Sequence, residues 1–414
     1  MATTRTFNDM LNDYLTYPLL KEEMSNRVYL LNKMDKDDGW KTGPLPVPFK
    51  GAGASSVSFG SLTASNDIAE DKYVRGEVSA AKEVWGSMIF NQRDLYEHDS
   101  KKMEISFLQL LPDAIGDFMD YMKYAVTCNL TNGAAIATLT ADSDAAGAGI
   151  LNIDRPDRLV IGQKLQIDDG NSSPATVYVI GIDMNAKTAT TSSTRGGSAT
   201  SLSGAYTVAQ GAKLYLDNGQ SNSFSNLKSM LLSLANGGDA ALYGQTKTAY
   251  PYLQAINIDG STITATNILD KIFDAFVTVR TFGKGNPTEA MMSYKHWGSI
   301  LKLLELQTGS YRQKEGSSKA SIYGWDQVVL TGIKGTLTFT AVQEMDDDFI
   351  AIIDWRAFKF HSNGFFRKRT SPSGNQYFEV RNTSGYQYIV DICLFGEMVC
   401  SRPSYCGIIH SISY

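Results

Sequence analysis

The sequence predicts an α+β fold interrupted by a small all-β insertion. Three observations lead there: a long proline-punctuated β arm, an amphipathic helix directly after it, and an abrupt change of composition near residue 138. At 414 residues the chain is long enough for two or three cores.

The arm begins at Trp40. Its outgoing limb to Phe49 alternates Leu45, Val47 and Phe49 with Pro44, Pro46 and Pro48. Proline donates nothing to a β ladder, so this limb is extended but is not a central strand. A tip rich in Gly, Ala and Ser follows from Gly51 to Ser65, and Tyr73 to Phe90 reads as the return limb. An isolated two-stranded hairpin is marginal in water. The arm is therefore expected to be held by something outside itself. On that reading Asp71, Lys72, Arg75, Glu77, Lys82, Glu83, Trp85, Arg93 and Asp94 become candidate subunit-interface residues.

Before the arm, Phe7, Met10, Leu11, Tyr14 and Leu15 mark a short amphipathic helix that Pro18 stops, and Arg27 to Met34 carries a second apolar patch. After it, Pro112 suits the first turn of a helix, with Asp113 favourable beside the dipole. Ile115, Phe118, Met119, Met122 and Val126 then recur at helical spacing, opposite Asp117, Asp120 and Lys123, to an end near Asn129 to Gly133.

Between Thr138 and Asp217 the chain has no Glu, Phe, Trp or His. Strands are predicted at Leu159 to Ile161, Lys164 to Ile167, Thr176 to Ile182, Thr188 to Thr191 and Lys213 to Leu216, which suggests a small barrel or sandwich. Helices follow at Leu227 to Leu234, at Ile268 to Val279 with Asn267 as N-cap, and after Ser293 as a second cap. From Val328 onward the pattern is mostly β.

Chemistry is sparse. Four histidines are scattered, and Cys128, Cys393, Cys400 and Cys406 have no zinc spacing and read as buried hydrophobes. Nucleophile-elbow, zinc-protease, Walker and dinucleotide patterns are lacking. Gly283 to Pro287 reads as a polar connector, and Asp346, Asp347 and Asp348 as a solvated turn rather than a cation site. The expectation is no enzyme, no cofactor and no metal. A net charge of −5 gives no footprint for tight nucleic-acid or membrane binding. Arg367, Lys368 and Arg369 form the tight basic run, facing DNA, a neighbour or solvent.

The order of these parts resembles the major capsid protein of tailed bacteriophages, the HK97-like fold. Asn26 to Leu31 running to Ala54 resembles the N-arm entering an extended loop; Val84 to Leu95 resembles that loop's return; Phe107 to Asp113 onward resembles the spine helix. Pro287 to Leu306 resembles the axial domain's strand and helix, and Asp354 to Phe395 with Pro403 the peripheral domain's closing strands. The resemblance divides the chain into an N-terminal arm (1–39), an extended β loop (40–97), the spine helix and start of the peripheral domain (98–137), the insertion (138–217), an axial domain (218–325) and the peripheral return (326–414).

That resemblance implies a virion shell protein assembled in the bacterial cytoplasm. Its partners would be its own copies in hexamers and pentamers, a portal, possible decoration proteins, and packaged double-stranded DNA held non-specifically, with no membrane. With about forty residues before the arm, a separate scaffolding protein is expected rather than a cleaved one. An encapsulin-like compartment shares the fold. A carbohydrate-binding or adhesion protein would use the insertion but leave the arm and helix unexplained.

Overall fold

The computed structural model describes residues 28–40, 43–52, 72–91, 104–142, 149–168, 175–200, 208–308, 328–332, 335–362, 366–369, 374–375, 377–382 and 385–413. The predicted helix over 7–15 lies outside them.

Within these residues the chain begins with α1 (Tyr29–Lys33), β1 (Asp35–Asp37), the hairpin strands β2 (Leu45–Ala52) and β3 (Lys72–Val78), β4 (Lys82–Asn91) and the long helix α2 (Glu104–Asn132). Six strands follow: β5 (Ala135–Thr138), β6 (Ile150–Asn152), β7 (Lys164–Asp168), β8 (Ala175–Asp183), β9 (Thr188–Ser192) and β10 (Lys213–Leu216). Next come α3 (Gly219–Asn222), α4 (Leu227–Leu231), β11 (Ala241–Leu242), β12 (Gln245–Thr246), β13 (Ile256–Asp259), α5 (Ile268–Thr278), β14 (Glu289–Met292) and α6 (Tyr294–Thr308). The remainder is β15 (Val328–Gly332), β16 (Gly335–Ala341), β17 (Ile350–Ile353), β18 (Phe358–His361), β19 (Phe366–Lys368), β20 (Phe378–Asn382), β21 (Gly385–Cys400) and β22 (Gly407–His410). The chain is α+β and divides into two compact units, one drawn from 1–32, 82–224 and 362–397, the other from 33–81, 225–361 and 398–414.

In the first unit α2 runs 29 residues, about 43 Å at 1.5 Å per residue. Ile115, Met119, Met122, Val126 and Leu130 form its buried stripe. Pro112 does not start this helix but lies inside it, and the helix stops at Gly133, where φ is +115°. Strand β4 crosses the helix closely: a Cβ on Gly86 would sit 2.3 Å from the Phe118 ring.

The segment after α2 forms one antiparallel sheet in the order β5-β10-β7-β8-β9-β6. A bridge between Leu139 and Ile153 joins its two outer strands and closes a barrel. Leu151, Ile153, Leu165, Ile167, Val177, Val179 and Leu214 fill the interior. β5 and β10 pair directly, Thr138 opposite Lys213, so the segment enters and leaves side by side. Leu159 to Ile161 is not a strand: Gln163 N–H bonds back to the Val160 carbonyl and Gly162 takes φ +88°, making a turn that exposes Ile161.

The second unit holds a six-stranded sheet, β13-β22-β17-β14-β16-β15. Its strands come from both sides of residue 325, where a boundary between axial and peripheral domains is expected from sequence. β16 pairs with β14 and β22 with β13, so long-range pairing joins what local patterning separates. Helix α5 covers the sheet through Ile268, Ile272 and Phe276. Neither sequence-predicted cap acts through its side chain. Asn267 instead accepts from Thr264 N–H and donates to the Thr262 carbonyl, while the buried Ser293 hydroxyl lacks a hydrogen-bond partner.

The described part of the arm is held by a later segment of its own chain, outside the arm itself. β2 pairs antiparallel with β3, and Val47 and Phe49 are buried. The Phe49 ring meets Tyr250 edge-on at 5.9 Å. Gly76 lets Tyr243 approach, since a Cβ there would be 2.7 Å from the Tyr243 Cβ, and Glu77 N–H donates to the Tyr243 carbonyl. The alternation that keeps Pro46 and Pro48 outside supplies an apolar face for this docking. The expected return limb also divides: β3 stays with the hairpin, whereas β4 pairs with β21.

The acidic triplet is not a bare turn. Lys228 Nζ lies 2.6 Å from Asp348 and 3.8 Å from Asp346, and over the Phe349 ring. The Asp347 carbonyl bonds His296 Nε2 at 2.7 Å. Burial holds His296 below its ordinary 6.5, and burial does the same at His361, beside Asp37. Below about 6.5 the unfolded chain takes up these protons before the folded one does, so stability falls as pH drops through that window. The expected result is a melting temperature that declines between about pH 7 and 5.5, and His296→Gln flattens that slope. An unchanged slope in the variant would remove His296 from the acid response.

Candidate functional site

In the first unit β21 is the central strand of an open sheet. β4 lies along one side of it, from Lys82 opposite Gly396 to Asn91 opposite Gln387. On the other side β20 pairs with its first part and β19 with its second. Among the described residues no strand pairs with the outer edge of β4. An unpaired edge presents a row of N–H and C=O groups to any strand that arrives.

Side chains alternate along β4. Met88 is buried, and Gly86 faces Phe118 of α2. The odd positions point away: Trp85 is 51% and Ile89 44% exposed. Val380 on β20, opposite Gln387 and so on the same face, is exposed as well, while the exposed Tyr386 of β21 lies on the other face of the sheet. Polar groups rim this apolar surface. Glu83 accepts from Trp85 Nε1 at 2.8 Å, Ser87 donates to Asp391 at 2.6 Å, and Arg369 lies over the Phe378 ring with Asp391 3.7 Å away. Large exposed apolar groups framed by hydrogen-bonded charges are the composition of a protein interface, an apolar centre inside a polar rim.

The sequence-predicted interface residues are not one cluster. Lys82, Glu83 and Trp85 belong to this sheet, with Lys82 Nζ donating to the Ser221 carbonyl at 3.1 Å. Arg75 and Glu77 are on the hairpin of the other unit, paired with each other at 3.2 Å and well exposed. Such a surface pair contributes little to stability. The Lys72 backbone pairs with Ala52. Asp71, Arg93 and Asp94 lie outside the described residues, as do the side chains of Lys72, Arg367 and Lys368. The backbones of Arg367 and Lys368 are in β19, and Arg369 is committed to Phe378 and Asp391.

Sequence reasoning missed Ile89, Val380 and Tyr386 as surface groups. The alternation Glu83, Trp85, Ser87, Ile89 is a signal that the strand has a wet face, but its partner lies almost three hundred residues on. Among the described residues no three His, Cys, Asp or Glu side chains are placed to hold a metal ion, and no helix is long and apolar enough to cross a membrane. All four cysteines are buried and outside any disulfide.

No protein-family model matches this chain, and no curated protein matches it. Solved structures do. The capsid asymmetric unit of cyanophage A-1(L) is similar over 100% of this chain and 95% of its own, at 9% identity and a TM-score of 0.49. The capsid of a native GTA particle is similar over 92% and 90%, at 10% identity and 0.47. The SrpI encapsulin of Synechococcus elongatus PCC 7942 is similar over 95% and 89%, at 7% identity and 0.40.

Proposed function

We propose that this chain is the major capsid protein of a tailed phage, building hexamers and pentamers of an icosahedral shell around double-stranded DNA. The observation that carries this reading is the open sheet of the first unit, an exposed apolar face beside a strand edge that has no partner among the described residues. A monomer gains nothing from keeping Trp85, Ile89 and Val380 together in water. A shell subunit gains a contact with each neighbour it acquires. The role is structural rather than catalytic. Other copies of the chain are the principal partners, with a scaffolding protein and a portal during assembly in the bacterial cytoplasm.

The β4 residues supply the association and the docked hairpin supplies a stiff projection. β2 and β3 are fastened by Tyr243 and Tyr250. Preorganisation of this kind lowers the ordering cost of each contact in a large assembly.

Negative-stain imaging of the purified chain at rising concentration tests the reading. The wild type is expected to give hexameric rings and closed shells. The Trp85→Ala, Ile89→Ser double variant is expected to remain as dispersed subunits, with a melting temperature within a few degrees of wild type because both side chains are about half exposed. Wild-type chains that stay monomeric at every concentration, or variant chains that form normal shells, would overturn it.

A further inference from the structure

A second surface, in the other unit, is built around Tyr405. The π-helical turn Val279–Gly283 that continues α5 carries Phe282, which at 74% is the most exposed large apolar side chain described. Gly283 and Gly285 seat this segment on the turn Pro403–Tyr405: a Cβ on the first would be 2.1 Å from the Ser404 carbonyl oxygen, on the second 2.3 Å from that of Tyr405. No larger residue fits either place. Lys284 stands exposed between them in a left-handed conformation, φ +58°.

Two arginines join it. Arg402, exposed, donates from Nη1 to the Tyr405 hydroxyl at 3.3 Å, with its guanidinium 5.3 Å from that ring. Arg356, also exposed, stands within electrostatic reach of Tyr405. Its Nε and Nη2 are taken by Asp354 at 2.9 and 2.6 Å. Asp354 is buried and also accepts from the Asn286 amide, so it faces inward. Lys284 and Arg402 have no acidic partner among the described residues.

We propose that Lys284 and Arg402, with Phe282 beside them, form a contact site for the phosphate backbone of nucleic acid. Cations spaced along one surface suit a row of phosphates, and an exposed ring suits an unstacked base. Recognition of a protein carboxylate would favour a free guanidinium fork. Here Arg356 has spent its fork on Asp354, and Arg402 has turned Nη1 to Tyr405. What remains are single donors and point charges. On a chain of net charge −5 this patch is a local inversion, so binding there is weak, non-specific and steeply dependent on salt.

Fluorescence anisotropy of dispersed subunits with labelled DNA, duplex and single-stranded, across a salt series tests this without requiring shells. Two neutralised phosphates give a slope of log affinity against log salt of about −2 for duplex. Lys284→Gln and Arg402→Gln are each expected to reduce that slope by about 1. Phe282→Ala is expected to weaken single-stranded DNA at least ~5-fold and leave the duplex slope alone. If the Lys284→Gln, Arg402→Gln double variant keeps the wild-type slope, the proposal fails, and it fails in favour of a subunit contact if the same variant no longer forms shells. Loss of the slope with shells intact separates this site from the assembly reading.

Discussion

Lys247→Met is expected to lower folding stability by at least about 2 kcal/mol. Lys247 is 4% exposed, and its Nζ donates to the carbonyls of Ser229, Met230 and Leu232, each at 2.9 Å. Those carbonyls end α4, where helical geometry leaves acceptors without partners. Burial lowers the lysine's proton affinity, so desolvating the ammonium has a cost that its three acceptors offset. Methionine matches the stem and removes all three bonds; Ser229 keeps the Asp239 N–H as donor, so the Met230 and Leu232 carbonyls are stranded at roughly 1 kcal/mol or more each. Denaturant unfolding reads the loss directly. A midpoint unchanged in Lys247→Met would mean that water reaches those carbonyls and that the cap is incidental.

Phe49→Ala is expected to cost about 3 kcal/mol, and to do so locally. The ring is 3% exposed, packed against Tyr250 and against Gly76. Removing it leaves a cavity at the hairpin's base. Backbone amides over 45–52 and 72–78 should then exchange faster, while those of the barrel between β5 and β10 keep wild-type protection. Uniform loss of protection would instead place Phe49 in the global core. Shell formation should fall with the hairpin's rigidity even though the subunit stays folded.

How far the fold is legible depends on the range of the interaction. The stripe Ile115, Met119, Met122, Val126 is local, and it reads correctly as the buried face of α2. The start of that helix misleads because Pro112, which favours a first turn, is accommodated inside a longer one. Alternation identifies β7, β8, β9 and β10 within a residue or so, whereas β5 and β6, of four and three residues, are too short to alternate convincingly. The hairpin's need for outside support is legible, but the source of that support is not. Val47 and Phe49 look unsupported until Tyr243 and Tyr250, some two hundred residues later, fold against them. Lys247 lies in Gln-Thr-Lys-Thr-Ala and gives no local hint that three carbonyls await it. Of the surface proposed for assembly, Trp85 and Glu83 were readable as interface candidates, but the neighbours that make it a patch depend on β4 joining β21.

That pairing has a consequence for the life of the nascent chain. β4 leaves the ribosome early, yet its partner Gln387 to Gly396 follows only about 300 residues later. At 5–20 residues per second, β4 waits for roughly 15–60 s without a strand beside it. During that interval Val84, Met88 and Phe90, destined for the interior side, are as open as Trp85 and Ile89, and both edges can capture another chain. On a polysome, neighbouring nascent chains carry the same strand. The strand proposed to recruit copies after folding therefore invites premature recruitment before it. Delayed closure makes β4 a natural client segment for a holding chaperone, and the yield of soluble subunits should rise when translation is fast or such a chaperone is abundant.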